Sequence, residues 1–88
     1  MKRFELNIYG ADDEILKTYS ASRVKMGVFE RAVILADELP KLNSSEIFEA
    51  FHELFKDIYP GLTDEDYSFA DYDDILNTFS AIVSLSKN

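Results

Sequence analysis

The run Ile47–Ile58, IFEAFHELFKDI, constrains this chain more than any other stretch. Ile47, Phe48, Phe51, Leu54, Phe55 and Ile58 recur at i, i+1, i+4, i+7, i+8 and i+11. At about 100° per residue these positions share roughly a third of a helix circumference, with Glu46, Glu49, Glu53, Lys56 and Asp57 outside it. A half-buried strand needs alternation, and neither FEAF nor LFKDI alternates. The segment is therefore read as an amphipathic helix with three phenylalanines on one face. In a chain of 88 residues that face has to be the main wall of the core. Phe51, near the centre of the stripe, is expected among the most buried residues.

Length allows a single domain over residues 1–88, and 47% apolar content with 14% aromatic residues is enough to pack one core. The absence of cysteine excludes disulfides and thiolate metal sites. No segment is long and apolar enough to span a bilayer, and the N-terminal MKRFELNIYG turns polar too early for a signal peptide. The expectation is an intracellular, cytoplasmic protein without a membrane partner. Net charge is −8, and it is unevenly placed. Residues 1–41 balance seven basic against seven acidic side chains, whereas residues 42–88 set Lys56 and Lys87 against ten carboxylates. Such a surface repels phosphate backbones, so nucleic acid is not an expected partner. The same excess also serves simple solubility.

Along the chain, Phe4, Leu6 and Ile8 alternate with Glu5, Asn7 and Tyr9, the period of a strand with one buried face. Gly10–Asp13 is rich in turn formers, and Ile15, Thr18 and Tyr19 resume a β-favouring composition. Residues 3–9 and 14–20 thus read as an antiparallel hairpin. Residues 22–26 read either as a third short strand, extending the second, or as the start of a helix. Three helices are expected near 27–39, 45–58 and 71–84. The first carries the stripe Val28, Ala32, Leu35 and Leu39, with Phe29 and Ala36 beside it, and ends before Pro40. Ile34 points away from that stripe. Asn43 or Ser44 caps the central helix, Asn43 and Glu46 having the spacing of a capping box; Pro60-Gly61 closes it, and Thr63 to Asp66 repeats the capping pattern before a single turn. Asp71 is expected to cap the last helix, whose stripe is Tyr72, Ile75, Leu76, Phe79, Ile82 and Val83. Residues 85–88 are expected to fray. The predicted fold is α+β: an N-terminal antiparallel hairpin over residues 1–26, packed on a three-helix bundle over residues 27–84.

Little in the chain speaks for catalysis. The single histidine, His52, sits at the edge of the apolar face beside Glu49, Glu53 and Lys56, and a boundary role covers it. Without cysteine, a nucleophilic triad would need His52 and a serine that the sequence does not place. The carboxylates Asp64, Glu65, Asp66, Asp71, Asp73 and Asp74 invite a calcium reading. However, an EF-hand register from Asp64 puts Phe69 at the glycine position and Ile75 in place of the closing glutamate. Capping and solvation explain them better. The three glycines are isolated, so there is no phosphate loop. No enzyme, cofactor or metal is expected, which leaves protein binding. Tyr67, Phe69 and Tyr72 lie where new helical turns begin, so they are the candidate partner contacts, together with Ile34. Asp64, Glu65 and Asp66 are the candidate charges that steer the encounter.

Three stretches resemble the small tail assembly chaperones of long-tailed phages and prophages of Gram-positive bacteria. They are FELNIYG, KTYSASRVKMGVFERAVILADEL and FHELFKDIYPGLTDEDYSFADYDDIL. The last follows the family's succession of an aromatic helix, a break, a Thr-Asp/Glu cap, an acidic passage and a final amphipathic helix. Where family members often carry Gly-Asn after the aromatic helix, this chain has Asp57-Ile58-Tyr59-Pro60-Gly61. The resemblance implies that the chain binds a tape measure protein and keeps it soluble during tail morphogenesis. It also implies help in recruiting tail tube protein, absence from the finished virion, and, in many members, a longer frameshifted form. A homo-oligomer is compatible with this reading. Two alternatives stand beside it: a small acidic inhibitor or nucleic-acid mimic, and a regulatory interaction module unconnected with phage.

Overall fold

The computed structural model describes residues 4–87. Arg3 and Asn88, which the sequence assigns to the first strand and to the tail, lie outside them. Strand β1 (Phe4–Tyr9) pairs antiparallel with β2 (Ile15–Ala21), with Phe4 opposite Ala21, Leu6 opposite Tyr19 and Ile8 opposite Lys17. A register shift between Ile8 and Tyr9 accommodates Leu16 as an extra residue. The turn is closed by Gly10 N–H to Glu14 C=O (2.8 Å) and Asp13 N–H to Gly10 C=O (3.0 Å). Asp13 takes φ +62°, a left-handed conformation that aspartate tolerates better than most residues.

Helix α1 (Met26–Glu38) follows an irregular passage through Arg23 and Val24, so no third strand forms at residues 22–26. Lys25 is its N-cap. The helix stops ahead of Pro40, which sits in a 3-10 turn over Leu39–Lys41. Helix α2 (Ser44–Ile58) opens with a complete capping box: Asn43 Oδ1 accepts from Glu46 N–H (2.9 Å) and Glu46 Oε1 from Asn43 N–H (3.0 Å). Beyond its end Gly61 has φ +100°, where a side chain would strain the backbone. Helix α3 (Asp64–Ser68) is the single turn capped by Thr63, whose Oγ1 accepts from Asp66 N–H at 3.0 Å. Helix α4 (Tyr72–Ser84) continues into a 3-10 turn over Leu85–Lys87. Asp71 does occupy its N-cap position, but its side chain makes no capping hydrogen bond. The fold is thus α+β, a hairpin followed by four helices, three of them long. Among the described residues no helix is long and apolar enough to cross a membrane.

The core joins Phe4, Leu6 and Ile8 of β1 to Val28, Ala32 and Leu35 of α1, to Leu54, Phe55 and Ile58 of α2, and to Phe79 and Ile82 of α4. Tyr59 and Leu62, in the passage leaving α2, complete it. The molecule is 20 Å through its shortest axis, the thickness of one sheet and one helix layer. The expectation for Phe51 fails. It is only half-buried, packing edge to face on Phe79 with centroids 4.7 Å apart, while Phe55 is completely buried and Phe48 is 70% exposed. Periodicity fixes the azimuth of a stripe but not how far along the helix its cover extends. Here the cover reaches only the last two turns of α2. The stripe of α4 narrows in the same way: Phe79 and Ile82 are buried, Leu76 and Tyr72 are exposed, and Thr78 turns inward. The Tyr59 hydroxyl is buried beside Thr78, and burial raises its pKa; the Thr78 hydroxyl opposes that shift and the charges of Asp74 and Glu5 add to it.

Candidate protein-binding surface

β1 has two edges. One pairs with β2; the other meets the passage between α3 and α4. Tyr9 N–H donates to Phe69 C=O (3.0 Å), Asp71 N–H to Asn7 C=O (3.1 Å), and Asn7 N–H to Asp74 Oδ2 (2.9 Å). Ile8 and Ala70 form an isolated antiparallel bridge at the same place. The backbone of residues 69–71 is therefore pinned to the strand. The Phe69 side chain, so held, is 57% exposed, and Tyr72, one turn on, is 71% exposed.

Phe69 stands at an open cavity of about 240 Å³ with Ile8, Tyr9, Leu16, Glu65 and Asp66. The apolar lining comes from the hairpin's turn end, and the carboxylates of α3 form part of its border. Leu16, 62% exposed, was not among the residues expected to touch a partner. The signal for it was present: Ile15 and Leu16 are adjacent, so a strand cannot bury both. Phe48 escaped notice for the opposite reason, because it lies within the helical stripe.

The other candidates separate. Tyr67 turns inward: its ring stacks on His52 (centroids 4.4 Å, planes 10° apart) and lies 6.5 Å from Phe55. Burial raises its pKa. It belongs to the margin of the core, and His52 with it. Ile34 is exposed on α1, between a cavity it shares with Leu35, Ala50 and Leu54 and another it shares with Phe29 and Val33. Neither cavity includes Phe69.

The acidic residues also differ among themselves. Asp66 is tied into the fold: its Oδ2 accepts from Tyr19 Oη at 2.5 Å and from Lys17 Nζ at 3.0 Å. The Tyr19 and Lys17 hydrogen bonds hold its carboxyl below the ordinary value, and Asp66 in turn raises the pKa of both partners. Asp64 pairs with Lys56 (2.6 Å), which lowers its pKa. His52 Nε2 approaches the same Asp64 oxygen to 3.0 Å without the geometry of a hydrogen bond. Glu65 makes no ion pair among the described residues. Of the three carboxylates expected to steer a partner, two are engaged in ion pairs within the chain. Among the described residues, no three His, Asp or Glu side chains converge as a metal site requires. Compared with protein-family models, curated proteins and solved structures, the chain matches none.

Proposed function

We propose that this chain acts by binding protein, as a tail assembly chaperone of the kind it resembles, holding an apolar helical segment of a tape measure protein. The reading assigns it no catalysis and places its work in the cytoplasm of the host cell. One observation carries it. Two exposed aromatics, Phe69 and Tyr72, are mounted on backbone fastened to β1, beside an apolar cavity bordered by Glu65 and Asp66. Aromatic anchors on rigid backbone lose little entropy on binding, and a charged border keeps the complex dispersed. A nucleic-acid mimic is less well supported, because Asp64 and Asp66 are engaged within the chain instead of being free to imitate phosphates.

Co-expression with the tape measure protein tests the reading. The wild-type chain should raise the fraction of that protein left in the supernatant. Phe69→Ala and Tyr72→Ala should speed dissociation, whereas Asp64, Glu65 and Asp66 changed together to their amides should mainly slow association and flatten its salt dependence. A wild-type chain that neither binds nor solubilises the tape measure protein sinks the proposal.

A further inference from the structure

Where β1's outer edge is closed, β2's is not. Asn7 spends its N–H and C=O on Asp74 and Asp71, so its pairing with Thr18 is of the non-hydrogen-bonded kind. It follows that the backbone groups of Thr18 and Ser20 point away from β1, as does the C=O of Leu16, the residue of the bulge. Among the described residues neither the Thr18 nor the Ser20 N–H has a partner outside the hairpin ladder. Such edges are usually shortened, bulged outward or guarded by charge and proline. β2 has seven residues, one bulge at Leu16 near its turn end, neither proline nor glycine, and one charge, Lys17, already neutralised by Asp66.

We infer that this edge pairs with the same edge of a second copy, antiparallel about a two-fold axis at Thr18, making a four-stranded sheet. Three features select a second copy and this register. It is the one antiparallel register in which all seven residues overlap, and about four backbone hydrogen bonds close across it. It sets Leu16 against Ser20, Lys17 against Tyr19 and Ile15 against Ala21, so no like charges meet; an axis at Lys17 would oppose two lysines. It also carries the turn of one copy, Asp12-Asp13-Glu14, to the end of the strand where the other copy has Arg23 and Lys25. None of these five side chains forms an ion pair among the described residues, and the axis repeats the match at both ends. A chain of net charge −8 repels its own copy over most of its surface. This edge is where the signs are complementary.

Sedimentation velocity of the full chain, from about 1 to 500 µM, reads the self-association. The expected result is a concentration-dependent rise from the chain mass of 10.1 kDa to twice that value. Hydrogen exchange at the Thr18 and Ser20 amides should slow at least about tenfold over the same range, as edge amides become paired. Thr18→Lys sets two lysines face to face on the axis and should leave a folded monomer, while Ile34→Lys on α1 should dimerise as wild type does. A wild type that stays monomeric at the top of the range overturns the inference, as does a dimer whose two amides exchange unchanged or one that survives Thr18→Lys. If those amides become protected only when the tape measure protein is added, the edge serves a foreign strand and the self-pairing inference fails.

Discussion

The hairpin's two outer edges are made of the same backbone and meet opposite fates. On the β1 side, residues 69–74 supply a carbonyl, an N–H and a carboxylate to Asn7 and Tyr9, and the strand ends up interior. On the β2 side nothing among the described residues hydrogen-bonds to the outward backbone of Thr18 and Ser20. The side chains follow the backbone: β1 alternates buried with less buried positions, while β2 is exposed at five of its seven. A two-stranded ribbon cannot bury itself. This one is stabilised from one flank and one face, and its remaining flank stays open.

Leucine truncation on the two strands should break this symmetry most visibly. Leu6→Ala, at a fully buried site, is expected to cost about 2–5 kcal/mol in urea unfolding. Leu16→Ala, measured at a concentration where only monomer is present, should cost under about 0.5 kcal/mol. Comparable losses would mean that β2 is covered. Next in size is the closed edge itself. Asp74→Ala leaves the Asn7 N–H without its carboxylate and should cost about 1.5–3 kcal/mol, with Asp74→Asn recovering part of the loss through its side-chain carbonyl. Should the alanine variant unfold like wild type, residues 69–71 close the edge without help from α4.

The smallest effect belongs to the clasp between β2 and α3. Asp66 is held below the ordinary carboxylate value of 3.8, so the unfolded chain binds this proton more readily than the native one. The stability it adds is present above that value and is lost as pH falls through the lower folded one. Lys17 and Tyr19 are raised above 10.5 and 10.0, so their share is present below those values and lost as pH rises through the folded ones. Lys17 is more than half exposed and the clasp sits at the surface, so the effect is small. Against wild type, Asp66→Asn should remove a shallow decline in melting temperature at both extremes and leave mid-range pH behaviour unchanged. An identical pH profile in the variant would show that the clasp adds nothing.

Much of the fold was legible because its signals are local. The alternation of Phe4, Leu6 and Ile8, the capping pair Asn43 and Glu46, the single turn after Thr63 and the stop before Pro40 each depend on neighbours within four residues. What stayed hidden depends on distant partners. Phe51 and Phe55 lie in one stripe, and only the assembled core tells which of them the hairpin and α4 cover. Tyr59 and Leu62 fall past the helix, where no period marks them as core. On the candidate surface, Phe69 and Tyr72 were legible as aromatics at a helical boundary. Their neighbour Leu16 and the inward turn of Tyr67 were not, since each is decided by a contact across more than ten residues of chain.

The closed edge also orders events in time. Its bonds join residues as far apart as Asn7 and Asp74, a span of 67 positions, whereas β1 and β2 are neighbours across a five-residue turn. Loop closure over the longer span is entropically later, so the ribbon can zip while both of its flanks are bare. During synthesis that condition lasts until the segment from Phe69 to Asp74 has left the ribosome. A nascent chain whose ribbon has closed therefore has two unpaired borders, of which the mature molecule leaves one open.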